Sequence, residues 1–169
     1  MAWYDSLDAG HTVTHELEIG LRLVLAAAAG AAIGFERETK DRPAGLRTNM
    51  LVALAAGLFT IITFEIYHAF KGANADPIRI IEAVTAGVAF LAAGTIIQGK
   101  ASVHGLTTGA AMWMSGALGV CCGSGYYVLA LMAATLTIAI LAILNRLDIG
   151  APKGVITEMR TGHGTDPRA

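Results

Sequence analysis

Apolar residues run along this chain in five long blocks, and polar residues collect between them. The blocks are Leu17–Phe35, Leu46–Phe70, Ile78–Gln98, Gly105–Cys122 and Tyr126–Asn145. A helix needs roughly 20 mostly apolar residues to cross the hydrocarbon core of a bilayer. Each block reaches or approaches that length, so the pattern predicts an all-α fold, a polytopic transmembrane bundle of five helices. Residues 1–16 read as an extracytoplasmic N-terminal segment, 17–146 as the five-helix domain and 147–169 as a flexible cytoplasmic tail, too poor in apolar residues for a core. Met1-Ala-Trp-Tyr-Asp5 lacks the basic start of a cleavable signal, so the first span is expected to direct its own insertion.

The polar segments give the bundle a direction. Arg37, Lys40, Arg42 and Arg47 lie between spans one and two, Lys100 between three and four, and Arg146, Lys153, Arg160 and Arg168 after span five. The other side is poor in cations, since the first 16 residues contain no Lys or Arg. The positive-inside rule therefore predicts the N-terminus outside and the C-terminus in the cytoplasm. Asp76-Pro77 before Ile78 has the form of an N-cap followed by proline at the first helical position. Ser102 is the candidate cap for span four.

Composition agrees. The chain is 54% hydrophobic and 15% charged, with a mean hydropathy of +0.58, whereas soluble domains are nearer a quarter charged. A net charge of −1 gives no field that would gather nucleic acid. The partner it implies is the lipid bilayer. Cys121 and Cys122 are adjacent and form no C-x-x-C pair, so they read as small apolar residues.

Two stretches look like copies of one hairpin. Ala29-Gly-Ala-Ala-Ile-Gly34 is followed by a basic loop and Gly45-Leu-Arg-Thr-Asn49. Ala93-Gly-Thr-Ile-Ile97 is followed by a shorter one and Gly105-Leu-Thr-Thr-Gly109. A parallel repeat of two helical hairpins would bring two helix N-termini together on the cytoplasmic side. With Arg42 and Arg47 beside them, free N–H groups there would suit an anion. The plainer reading is that glycine makes the turn, threonine caps and arginine anchors the loop. Gly30-x-x-x-Gly34, Gly105-x-x-x-Gly109 and Gly119-x-x-x-Gly123 each put two glycines on one face, for packing within the monomer or, alternatively, for a homo-oligomer.

The remaining charges form two candidate groups. The inner polar site comprises Glu36, Arg37, Glu38, Arg42, Arg47, Thr48, Asn49, Thr107 and Thr108. The outer polar cluster comprises Glu18, Arg22, Glu65, Asp76, Arg79 and Glu82, with Glu82 expected deepest and the whole expected to line one entry. Against these stand a solvated charge run and separate interfacial pairs that snorkel to the headgroups. His11 and His15 have a metal-site spacing if helical, yet a solvated tail explains them as well. His104 reads as interfacial, and Met112, Trp113 and Met114 as packing residues. No P-loop, dinucleotide fingerprint or nucleophile elbow is present. The sequence predicts no catalytic residue, cofactor or bound metal, and no enzyme. The middle of the bundle offers no Asp or Glu, only carbonyls, Thr95, Thr107, Thr108, Ser115 and Gln98. That set argues against a dedicated Mg²⁺ channel, which wants oxygen ligands with carboxylates prominent.

Gly34-Phe-Glu-Arg-Glu38 and Arg42-Pro-Ala-Gly-Leu-Arg-Thr-Asn-Met-Leu-Val-Ala-Leu54 resemble the first signature of the MgtC/SapB family of bacterial membrane proteins. Asp76-Pro-Ile-Arg79, Phe90-Leu-Ala-Ala-Gly94 and Gly105-Leu-Thr-Thr-Gly-Ala-Ala-Met-Trp113 resemble its later signatures, in order. The resemblance covers roughly residues 20–145. It implies a five-helix domain in the bacterial inner membrane and a link to magnesium homeostasis, as a small-ion or solute transporter. The alternative it implies is a non-transporting regulator of a membrane partner such as the ATP synthase. Two departures stand out. Ala89 and Ala92 occupy positions where the family often has Gly, and only a short tail stands where MgtC-like members carry a soluble domain. The chain thus resembles the shorter, SapB-like branch.

Overall fold

The computed structural model describes residues 9–69, 76, 78–98 and 103–146, and the expected cap at Ser102 and the tail lie outside them. Five helices follow in order: α1 (Ala9–Glu38), α2 (Leu46–Ala69), α3 (Ile78–Gly94), α4 (Leu106–Gly123) and α5 (Tyr127–Arg146). Between α3 and α4, β1 (Ile97–Gln98) pairs antiparallel with β2 (Val103–His104). Two expected boundaries move furthest. The first helix begins eight residues before Leu17, because Ala9–Glu16 continues the same helix beyond its apolar stretch. The third ends at Gly94 rather than Gln98. There the chain folds back, with the Thr95 and Ile96 N–H groups donating to Ala92 and Ala93 carbonyls.

The helices α2 and α4 start the same way. Gly45 precedes α2 and Gly105 precedes α4, and each glycine carbonyl accepts the N–H four residues on, Asn49 at 3.2 Å and Gly109 at 2.9 Å. Gly105 has φ 90, and a Cβ there would overlap the Thr95 carbonyl, so only glycine fits this turn without strain. Asp76 caps α3 as its sequence predicts, its Oδ1 accepting the Ile78 N–H at 2.9 Å.

The helices α1, α2 and α4 form the centre; α3 docks mainly on α4, and α5 against α1 and α4. Small residues set how closely they meet. A Cβ on Gly30 of α1 would come within 2.8 Å of the Ala53 Cβ on α2. One on Gly119 of α4 would come within 2.8 Å of the Ala56 Cβ, also on α2. Thus α2 is clasped from two sides at backbone distance, gaining dispersion contacts that larger side chains would prevent. One apolar cluster joins Ala26, Ile33, Leu118, Cys122 and Ala130, and a second joins Val52, Val84, Val88 and Met112.

The outside is as apolar as the inside. Val128, Leu129, Leu131, Met132, Leu136 and Ile140 stand exposed along α5, and Val24, Phe35, Leu51 and Phe59 along α1 and α2. A soluble monomer rarely leaves so continuous an apolar surface uncovered. Among the described residues α1 and α2 are each long and apolar enough to cross a membrane.

Candidate functional site

The buried polar groups gather at the end of the bundle where α1 turns into α2. On α1, Ala26, Gly30, Ile33 and Arg37 follow one another at helical spacing and are all buried. That stripe continues the packed face to its last turn, so of Glu36, Arg37 and Glu38 it is Arg37 that enters the bundle, 4% exposed. Its neighbours on the helix point about 100° to either side. Glu36 is half-buried and Glu38 exposed.

The Arg37 guanidinium ties three segments together. Its Nη2 donates to Thr108 Oγ1, in the first turn of α4, and to the Pro43 carbonyl in the α1–α2 loop at 3.4 Å. Its Nε and the Glu36 Oε1 are buried without a hydrogen-bond partner among the described residues. Asn49, in the first turn of α2, has no exposed surface. Its Nδ2 donates to the carbonyls of Ala44 at 2.6 Å and Gly45 at 2.9 Å, and its Oδ1 accepts from Ser115 Oγ at 2.8 Å. Ala44 sits at φ 56, a left-handed conformation that costs an L-residue about 1–2 kcal/mol. The Asn49 hydrogen bond to its carbonyl helps hold it there. Ser115 follows Thr108 by seven residues, two turns of α4, so one face of α4 carries both contacts.

A carboxylate of the chain itself occupies the start of α2. Glu38 Oε2 accepts the Leu46 N–H at 2.7 Å, supplying the negative charge that a helix N-terminus favours. The anion that the sequence invited to this place is therefore Glu38. Glu38→Ala is expected to cost about 1 kcal/mol by removing this cap, and Glu38→Gln only a few tenths. Detergent-driven unfolding followed by circular dichroism would measure both, and equal losses would show that the charge, rather than the accepting oxygen, makes the cap. Of the other inner candidates, Arg42, Arg47 and Thr107 are exposed and Thr48 is half-buried. Ser115 was legible only as a central polar group, and Thr60, buried with its Oγ1 donating to the Ala56 carbonyl at 2.7 Å, gave no signal of its own.

At the opposite end a cavity of about 280 Å³ opens between α1, α2 and the end of α4. Glu18, Arg22 and Glu65 line it with His15, His68 and Ser124. Arg22 pairs with Glu18 and donates Nη1 to the Gly123 carbonyl at 3.0 Å, while His15 and Glu65 approach to 3.2 Å across α1 and α2. The outer cluster expected from the sequence is thus divided. Asp76, just before α3, and Arg79 and Glu82 on it are exposed and do not line this cavity. Packing explains it: α3 applies Val84, Val88 and Ala92 to the bundle, which turns Arg79 and Glu82 away. His11 has no described side chain, and no group of three or more His, Cys, Asp or Glu among the described residues is arranged to hold a metal ion.

The model of the MgtC family matches residues 23–149. The chain belongs to the MgtC family. Protein MgtC of Brucella abortus (strain 2308) is 40% identical over 118 residues, 70% of this chain and 48% of its own length. The Escherichia coli K12 protein named "Putative magnesium transporter YhiD" is 37% identical over 133 residues, 77% of this chain and 62% of that protein. Protein SrpB of Synechococcus elongatus is 38% identical over 142 residues, 78% of each chain. The chain thus spans less than two thirds of MgtC and of YhiD. No solved structure matches it. The MgtC-family match contains Arg37, Glu38, Asn49, Thr108 and Ser115, and begins after Glu18 and Arg22. The loop-end network is therefore wholly within the family's shared region, and the cavity only partly.

Proposed function

We propose that this protein crosses the bacterial inner membrane five times, N-terminus outside, and serves magnesium homeostasis as a regulator that conducts no ion. The family and the name of the Escherichia coli relative support the link to magnesium. The cations at the loop end, Arg37, Lys40, Arg42 and Arg47, support the orientation. The matching starts of α2 and α4 support a parallel repeat of two hairpins.

One observation carries the choice of regulator. Between the charged cavity and the Arg37 network, α1, α2 and α4 meet at Gly30, Ala53, Ala56 and Gly119 with no room for a methyl group. Ala26, Gly30, Ala53, Ala56, Gly57, Leu118 and Gly119 are buried at that waist, and no carboxylate is among them. Magnesium sheds its water reluctantly and wants six oxygens, and this waist offers neither space nor ligands. A regulator acting on a neighbouring membrane complex needs neither.

Purified protein in liposomes loaded with a magnesium-sensitive dye tests the proposal. The expected result is no Mg²⁺ entry above empty liposomes, while the same gene restores growth of a deletion strain in low magnesium. Saturable Mg²⁺ entry would overturn it in favour of transport, the reading that the relative's name and the charged cavity support.

A further inference from the structure

The third helix carries an exposed face unlike any other in the bundle. Val84, Val88 and Ala92 are its buried residues. The opposite stripe, by helical spacing, is Arg79, Glu82, Ala83, Ala86, Gly87, Phe90, Ala93 and Gly94, all exposed. Gly87 and Gly94 meet nothing within 4 Å of a Cβ position, whereas Gly30, Gly116, Gly119 and Gly123 each lie against a neighbouring helix.

The fifth helix is the internal comparison. Its exposed face is built of Val128, Leu129, Leu131, Met132, Leu136 and Ile140, large side chains that fill space among lipid tails. The exposed face of α3 is built of alanine and glycine around Phe90, which is 81% exposed. Lipid offers no reason for small residues; a closely approaching helix does, because only they let two backbones meet.

Charge names the helix. Arg79 and Glu82 are three residues apart at the start of the same stripe, and neither has an ion-pair partner among the described residues. Under a two-fold axis along the membrane normal, two parallel copies of α3 would set Arg79 of each beside Glu82 of the other. The two pairs are reciprocal, as an isologous interface requires. Below them Ala83, Gly87 and Gly94 would let the helices close around the two Phe90 rings. Alongside runs an apolar groove bordered by Ala89, Ala93, Gly109 and Trp113, with room for part of the second copy.

We infer that the α3 face is the contact between two copies of this chain in the membrane. The inference rests on the membrane reading, which alkaline carbonate extraction of the full-length protein tests separately. Sedimentation of the full-length protein in density-matched detergent would report its mass. The expected result is a dimer that Gly87→Leu with Gly94→Leu weakens at least about tenfold. These positions are open in the monomer, so its helical circular dichroism should not change. Glu82→Arg should weaken the dimer, and Arg79→Glu with Glu82→Arg should restore it. A monomer at every concentration, or a dimer indifferent to both sets of substitutions, would overturn the inference, even in a protein that carbonate does not extract.

Discussion

Gly119→Ala is expected to destabilise the bundle by about 3 kcal/mol or more, an unusually large effect for one methyl group. The added Cβ would fall onto the Ala53 carbonyl oxygen and 2.8 Å from the Ala56 Cβ. Both obstacles belong to α2 close to its axis, so no side-chain rotation relieves them. The helices must separate, and moving α2 away from α4 also disturbs its close contact with Gly30 of α1. Gly20→Ala is the matched control. It makes the same chemical change in α1 where nothing lies within 4 Å. There the helical preference for alanine should stabilise by about 0.5–1 kcal/mol. Unfolding titrations with sodium dodecyl sulfate in mixed micelles would compare the two. Similar effects at both positions would mean that the close contact of α2 and α4 does not hold the bundle together.

This contrast also marks what can be read from a sequence alone. The apolar blocks located five helices because hydrophobic length is a local property. The starts of α2 and α3 were legible for the same reason, since Gly45 and Asp76 act on residues one to four positions away. The end of α3 was not. Ile96 and Ile97 continue the apolar block, and only the fold-back that seats Gly105 against Thr95 stops the helix at Gly94. Likewise the glycine pairs signalled close packing but not the partner. Gly119 and Gly123 meet α2 while Gly109 and Gly116 meet α3, a distinction that depends on the rotation of α4 within the bundle.

The polar site was legible to a similar depth. The Glu36–Asn49 stretch was recognisable as a cluster, yet burial selects Arg37 and Asn49 and leaves Arg42 and Arg47 exposed. Extending the stripe Ala26, Gly30, Ile33 by one turn would have singled out Arg37. Ser115 would have followed from its seven-residue spacing to Thr108. The division of the other cluster had no such signal. Glu82 and Glu65 end up on different sides because α3 docks on α4, and that contact is made by valines and an alanine whose pattern fits several neighbours.

The second large effect is expected at Arg37. Arg37→Ala should cost about 2–4 kcal/mol, since it leaves a cavity and leaves both Thr108 and the Pro43 carbonyl without their buried donor. Arg37→Lys should recover only part of this, because the lysine side chain is shorter than arginine's, short of the place where Nη2 meets both acceptors, and its ammonium is more strongly hydrated and so costs more to bury. Thr108→Val should cost about 1.5–3 kcal/mol, the range for a hydrogen bond to a charged group. In the double variant the two losses should overlap by about 1–2 kcal/mol if the contact between α1 and α4 is direct. Full additivity would show that the two side chains act separately. The same variants connect the network to function. Arg37 joins the α1–α2 loop to the first turn of α4, so its loss frees the surface that the proposed orientation presents to the cytoplasm. Arg37→Lys, if it remains folded at normal abundance, should still fail to restore growth in low magnesium. Normal growth with that variant would confine Arg37 to stability, and would move the search for the regulatory surface to the exposed Arg42 and Arg47.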